Sequence, residues 1–281
     1  MTGLTRVLSV EFRRAFGGKN FLIICLIGVG LAAWHVSTNV LGAMRNNDQF
    51  VPGKGAYPLS LYDGWMGTNL SGRPALLLSV LFPLLASIPY GASLAADRRS
   101  GYDINMVTRT SRSQYYLARQ VTAFCIAGVS VVIPYLLDFL AAAALLPALR
   151  PVPELGSYSI GVRSMWADVF YGQPLLYVLG YLAIIFLWSG CLGLIPLVVG
   201  FFVKNRIVVL MSSFLLLVIV EVMVIIVDNF ANARRFSPLS FMRPDQPARD
   251  ISLAIIAAEW LVAMGAVVGF LMVRARRDEA L

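Results

Sequence analysis

Three carboxylates sit where carboxylates are costly. Asp138, Glu221 and Glu259 each fall inside a long apolar run of the 281-residue chain, and His35, its one histidine, falls inside another. An ionised side chain at the centre of a bilayer costs at least about 2.5 kcal/mol on insertion scales, so such groups need a partner, water or a proton. The chemistry open to them is exchange of a proton or cation along a translocation path, with His35 able to pair with one of the acids. The plainer role is a hydrogen bond to a neighbouring helix. Hydrolytic chemistry finds no support: there is no His-Glu-x-x-His helix, no paired-aspartate signature and no Ser-His pair within the apolar runs. Ser79, Ser130 and Ser189 suit helix packing. Cys25, Cys125 and Cys191 also lie in apolar runs, where thiols pack as small apolar groups, so neither a metal site nor a disulfide framework is expected. The chain is expected to be non-catalytic and to bind no cofactor of its own.

The elements that carry these groups follow from composition. Hydrophobic residues make up 58% of the chain and charged residues 14%, well below the roughly 25% charged residues of ordinary soluble domains. Mean hydropathy is +0.75. A helix needs roughly 20 apolar residues to cross the hydrocarbon layer. Six stretches qualify: Phe21 to Ala43, Pro74 to Ala96, Val121 to Pro147, Pro174 to Val203, Ile207 to Val227 and Ile251 to Val273. Backbone amides in lipid must be satisfied internally, which helices achieve without closing a barrel. The expected fold is therefore an all-α integral membrane bundle of six transmembrane helices in a lipid bilayer. Pro83, Pro89, Pro134 and Pro196 should kink it, and Gly190, Gly193 and Gly200 permit close helix contacts.

Charge sets the expected orientation. Arginines and lysines crowd one end of the bundle, near Arg13, Arg14, Lys19, Arg98, Arg99, Arg119, Lys204, Arg206 and Arg274, which makes that end, with both termini, cytoplasmic. Net charge is +8, but its distribution along membrane borders gives no reason to expect nucleic acid. No cleavable signal segment is expected, because the first apolar run starts only after Lys19. Residues 1–20 place Leu4, Val7, Leu8, Phe12, Ala15 and Phe16 on one face and Arg6, Ser9 and Arg13 on the other, the pattern of an interfacial amphipathic helix, with Glu11 held toward the border by Arg14. Residues 21–273 form the transmembrane domain and 274–281 a cytoplasmic tail. The outer connections are small and suit capping or gating. Tyr57, Tyr62 and Trp65 are expected at the outer interface, and 229–250 as a broken, folded-back, re-entrant-like segment.

The connection between the second and third stretches, 97–119, is the most distinctive. Asp97-Arg98-Arg99-Ser100-Gly101 leads to the helix-forming Tyr102-Asp103-Ile104-Asn105-Met106-Val107, then a Thr108-Arg109-Thr110-Ser111-Arg112 turn, and Arg119 begins the next span. Gly101 is available for a turn and the run after it can form a short surface helix, a compact knob suited to docking another protein.

This order of features resembles the cytoplasmic coupling segment of ABC-transporter permeases of the type-two exporter class. The interfacial first helix, six spans, inside termini and folded-back outer segment are similar to that family too. The resemblance implies a subunit that pairs with a second six-span permease subunit, identical or homologous, and sits on separate ABC ATPase subunits. By the same resemblance Asp97, Arg98, Arg99 and Gly101 form the turn into the coupling helix and Tyr102, Asp103, Ile104, Met106 and Val107 its docking face; the family commonly has Glu where this chain has Asp97. Asp138, Glu221, Glu259 and His35 would border the translocation path. ATP and magnesium belong to the partner, because the chain has no G-x-x-x-x-G-K-[ST] loop: Arg13 stands where Gly18-Lys19 would require a preceding glycine, and Asn20 replaces the Ser or Thr. The implied protein is a multi-pass exporter permease of a bacterial plasma membrane, moving a hydrophobic or cationic peptide or drug. The residues alone also allow an ion- or proton-coupled secondary transporter built on the intramembrane acids.

Overall fold

The computed structural model describes residues 3–46, 60–69, 72–107, 110–153, 160–161, 163–246 and 250–277. Every regular element among them is helical. Helix α1 spans Gly3–Phe16, and the Gly17-Gly18 bend separates it from α2, Lys19–His35. α2 continues through a π-helical turn, Val36–Val40, into α3, Leu41–Asn46, and α4 is the single turn Leu61–Gly64. Then follow α5 (Arg73–Ser87), α6 (Ser93–Ser100), α7 (Tyr102–Val107), α8 (Arg112–Leu145), α9 (Ala167–Gly172), α10 (Pro174–Val199) and α11 (Arg206–Ala231). A 3₁₀ turn at Ala233–Phe236, α12 (Pro238–Phe241) and α13 (Leu253–Arg277) complete the chain.

Five of these helices are long and apolar enough to cross a membrane: Lys19–Val40, Arg112–Leu145, Pro174–Val199, Arg206–Ala231 and Leu253–Arg274. The architecture is that of an all-α, multi-pass membrane protein. The stretch expected as a continuous second span, Pro74 to Ala96, is instead broken. α5 ends at Ser87, and five residues of turn lead to α6. At about 1.5 Å per residue, α5 is roughly 22 Å long, shorter than the hydrocarbon layer. Gly91 marks the break for a steric reason: a Cβ there would lie 2.5 Å from the Ser87 carbonyl and 2.8 Å from Pro196 Cβ. Pro83, by contrast, stays inside α5 although it offers no N–H to the Ser79 carbonyl, and its own carbonyl also accepts the Ser87 hydroxyl at 2.8 Å.

The 34 residues of α8 form the central post, longer than the expected Val121 to Pro147 because Ser111 caps its start by accepting from Gln114 N–H. At roughly 50 Å it is longer than the roughly 30 Å hydrocarbon layer. α10 packs along it by exchange of small and large residues. Gly128 of α8 receives Phe186 of α10, Gly190 of α10 receives Phe124 of α8, and a Cβ on Gly193 would sit 2.2 Å from that of Ala127. α2 crosses α8 where Gly28 meets the Pro134 ring. α11 and α13 lie at the periphery, their apolar windows only 22% and 11% buried, so most of their surface is left for lipid or another subunit.

α1 is amphipathic as expected, but its buried face meets protein. Val7, Glu11 and Ala15 are buried, and Val7 and Ala15 join a cluster with Tyr90, Leu94, Tyr115 and Leu271. At the opposite end, Trp65 and Tyr62 do not form an interfacial belt. Trp65 is fully buried, its indole N–H donates to the Tyr135 carbonyl at 3.1 Å, and its ring lies edge-on to Tyr135 and Phe139. α4 and the turn that ends it thus pack into the bundle against α8; Tyr57 lies outside the described residues.

Candidate functional site

Gly101 shapes the connecting segment. It adopts φ 69°, ψ 13°, the left-handed conformation that ends a helix, and separates α6 from α7. A short helix, α7, follows the turn, and a second, α6, which the sequence was not read to contain, precedes it. The segment's first acidic residue, however, faces inward. Asp97 is 1% exposed and clamped between two arginines from distant parts of the sequence. Arg14 of α1 approaches one side, with Nη1 donating to Oδ2 at 2.7 Å and Nη2 donating to Oδ1. Arg119 of α8, also 1% exposed, donates Nη1 to Oδ2 and Nη2 to the Ser93 hydroxyl at 2.7 Å. Beside this clamp Tyr90 donates its hydroxyl to Glu11, which is fully buried, and Arg14 is 4.0 Å from the same carboxylate. Arg14 therefore serves chiefly Asp97, and Glu11 is held by Tyr90 rather than drawn to the border.

The formal charges cancel, two arginines against two carboxylates. Burial by itself raises the Asp97 carboxyl, but hydrogen bonding from Arg14 and the charge and bonds of Arg119 outweigh it and hold the group below its ordinary value. The Asp97 hydrogen bond in turn raises Arg14. Rings line the clamp: Arg119 stands over Tyr90 and Tyr115, and Arg14 stacks at 4.9 Å on Tyr102, the first residue of α7. α1, α6, α7 and α8 are thereby joined at one polar knot.

The neighbouring arginines make other contacts. Arg98 lies over Phe201 at 4.2 Å, and Arg99 Nη2 donates to the Lys204 carbonyl at 2.9 Å, so both tie α6 to the turn between α10 and α11. Met106 is half-buried against the α1 and α8 cluster. The side chains of Asp103, Ile104 and Val107 lie outside the described residues, as do Thr108 and Arg109. Arg119, expected to hold the connection at the basic border or to contact the ATPase, is buried instead, a placement that sequence reasoning missed. Its position one turn after Tyr115, at the start of an apolar run, was the available signal.

The intramembrane acids have separate surroundings. Asp138 and His35 are both fully buried and pair, Oδ1 to Nδ1, at 2.7 Å, while Asp138 Oδ2 accepts the Met66 N–H at 2.6 Å. The histidine pairing anticipated from sequence is therefore with Asp138. Directly after His35 the π-helical turn begins, and His35 Nε2 and Asn39 Nδ2 are buried with no hydrogen-bond partner among the described residues. Glu221 accepts from the Ser237 hydroxyl at the start of α12, whereas half-buried Glu259 has no hydrogen bond or ion pair among the described residues. No group of three His, Cys, Asp or Glu side chains is placed to hold a metal among the described residues.

At the end of the bundle away from α1, residues that follow α11 pack on α10 and on Met165. Gln246 Nε2 donates to the Met165 carbonyl at 2.7 Å while its Oε1 accepts the Met165 N–H at 2.5 Å, and Tyr177 donates to the Pro244 carbonyl. Phe241 packs on Trp188 of α10. After α11 the chain passes through the 3₁₀ turn Ala233–Phe236 and α12, and 247–249 lie outside the described residues.

Comparison with protein-family models, curated proteins and solved structures finds no match to this chain.

Proposed function

We propose that this chain is a six-span permease subunit of an ATP-driven exporter, with the α6–α7 knob receiving force from a separate cytoplasmic ATPase. The sixth span of this reading is the broken one, in which α5 and the residues after it up to Ala96 cross the layer that α5 alone does not, leaving Asp97 at its border. The observation that carries the proposal is the Arg14–Asp97–Arg119 clamp, which supports it because a push on α7 then reaches α1 and the long post α8 without slack. In this reading the chain supplies half of a translocation path in a bacterial plasma membrane. A second permease subunit supplies the other half, and ATP and magnesium are bound by the ATPase alone. The substrate class is a hydrophobic or cationic peptide or drug.

The buried His35–Asp138 pair favours a second reading, an ion- or proton-coupled secondary transporter. Reconstitution in liposomes separates the two. Uptake of a fluorescent cationic peptide that requires both ATP and a co-purified ATPase, and is lost when Gly101 to Val107 is scrambled, supports the exporter. Uptake driven by a proton gradient with this chain alone refutes it.

A further inference from the structure

The break between α5 and α6 and the start of α2 enclose a recess of about 250 Å³ that force coupling leaves unused. Its wall includes Arg14, Lys19, Asn20, Tyr90, Ser93 and Arg206. Arg14 is neutralised by Asp97. Lys19 and Arg206 are not neutralised: both are exposed, and no carboxylate lies within ion-pair distance of either among the described residues. Two uncompensated cations thus face one cavity beside a clamp whose charges already cancel. Each is also the first residue of its helix, so the positive ends of α2 and α11 add to the same field.

What adjoins the recess narrows the ligand. On α2, Leu22 is 60% exposed and Leu26 62%, and on α11 Ile207 is 71% exposed, while both helices pack against α5. By helical spacing Leu22 and Leu26 follow Lys19 on one face of α2, and Ile207 follows Arg206 in α11, so exposed apolar residues continue from both cations of the pocket. A nucleotide or a soluble dicarboxylate makes no use of those residues; an amphiphile with an anionic head does. The cavity is several times the roughly 30 Å³ a water occupies in the liquid, room for a tetrahedral anion.

We propose that this recess binds the headgroup phosphate of an anionic glycerophospholipid. Lys19 and Arg206 pair with the phosphate oxygens, and the acyl chains lie along the exposed faces of α2 and α11. Basic pockets between membrane helices are suited to such headgroups. The site requires only the membrane location of the helices and stands independently of ATPase coupling.

Native mass spectrometry of the full chain, released from micelles containing dioleoylphosphatidylglycerol or dioleoylphosphatidylcholine, tests it. The phosphatidylglycerol adduct is expected to dominate and to weaken about fivefold in Lys19→Gln and in Arg206→Gln, and roughly thirtyfold in the double variant, from about 1 kcal/mol per cation. Lys19→Arg, which keeps the charge, and Arg150→Gln, at the opposite end of α8, should retain it. Equal retention of both lipids by the unaltered chain overturns the proposal, whatever the variants do. So does full displacement by inorganic phosphate, which would assign the recess to a soluble anion.

Discussion

Replacing Asp97 by Asn tests the clamp that joins the connecting segment to the bundle. The substitution keeps shape but removes the charge that two arginines share. Arg119 is 1% exposed, so it loses its counter-ion with almost no water to replace it, and stranding one partner of a buried pair costs about 3–5 kcal/mol. Arg14, at 38% side-chain exposure, can turn to solvent, and its share is that of a surface pair, about 0–1 kcal/mol. The expected loss is about 3 kcal/mol, roughly two orders of magnitude in the folded-to-unfolded ratio. Urea unfolding in detergent, followed by tryptophan fluorescence, measures it. The partner variant Arg119→Gln should cost a similar amount, and the double variant clearly less than the two losses summed, because each single change already breaks the same contact. The pH dependence has a definite sign. Asp97 is held below its ordinary value in the folded protein, so its contribution is present above the unfolded value near 3.8 and is lost as pH falls through the lower folded value. Asp97→Asn should flatten that acid limb. A loss under about 1 kcal/mol, or strict additivity in the double variant, would refute the buried clamp.

Other perturbations separate conformation, packing and charge. Gly101→Ala meets no neighbouring atom within 4 Å, so its expected loss of about 1 kcal/mol comes only from the positive φ, and Gly101→Asn should lose less in the same unfolding assay. Gly193→Ala must push α10 off α8, where its new Cβ would be 2.2 Å from that of Ala127, and should cost about 1–3 kcal/mol; Gly265→Ala, with nothing within 4 Å, should cost nothing. Asp63 is pushed up to about 6 by burial from an ordinary 3.8, so it opposes folding increasingly as pH rises across that window. Asp63→Asn should therefore raise the thermal midpoint above pH 6, with the gain vanishing toward pH 4, a comparison that scanning fluorimetry makes directly.

Long apolar stretches were legible because lipid leaves a helix few alternatives, and five of the six expected spans are continuous helices. The sixth misled because hydropathy does not distinguish Pro83, which stays inside α5, from the Pro89-Tyr90-Gly91 run, where the chain turns. Gly101 was legible from its type alone, since a helix end needs the left-handed region that glycine supplies. The clamp was not. Arg14 and Asp97 are 83 residues apart, and nothing in their local sequences distinguishes a buried arginine from one that marks a membrane border. The same ambiguity hid Trp65, whose aromatic type fits an interface and a core equally well, and whose burial depends on Tyr135 and Phe139 of α8.

The placement of α7 against the motor it is proposed to meet can be measured by cysteine labelling. With Cys25, Cys125 and Cys191 replaced by Ala, Asn105→Cys on α7 and Arg150→Cys beyond the far end of α8 both present exposed positions at opposite ends of the bundle. A membrane-impermeant maleimide applied to intact cells should modify Cys at 150 and leave Cys at 105 untouched until the membrane is permeabilised. Labelling of position 105 in intact cells, with 150 protected, would put the knob outside and contradict coupling to an intracellular ATPase.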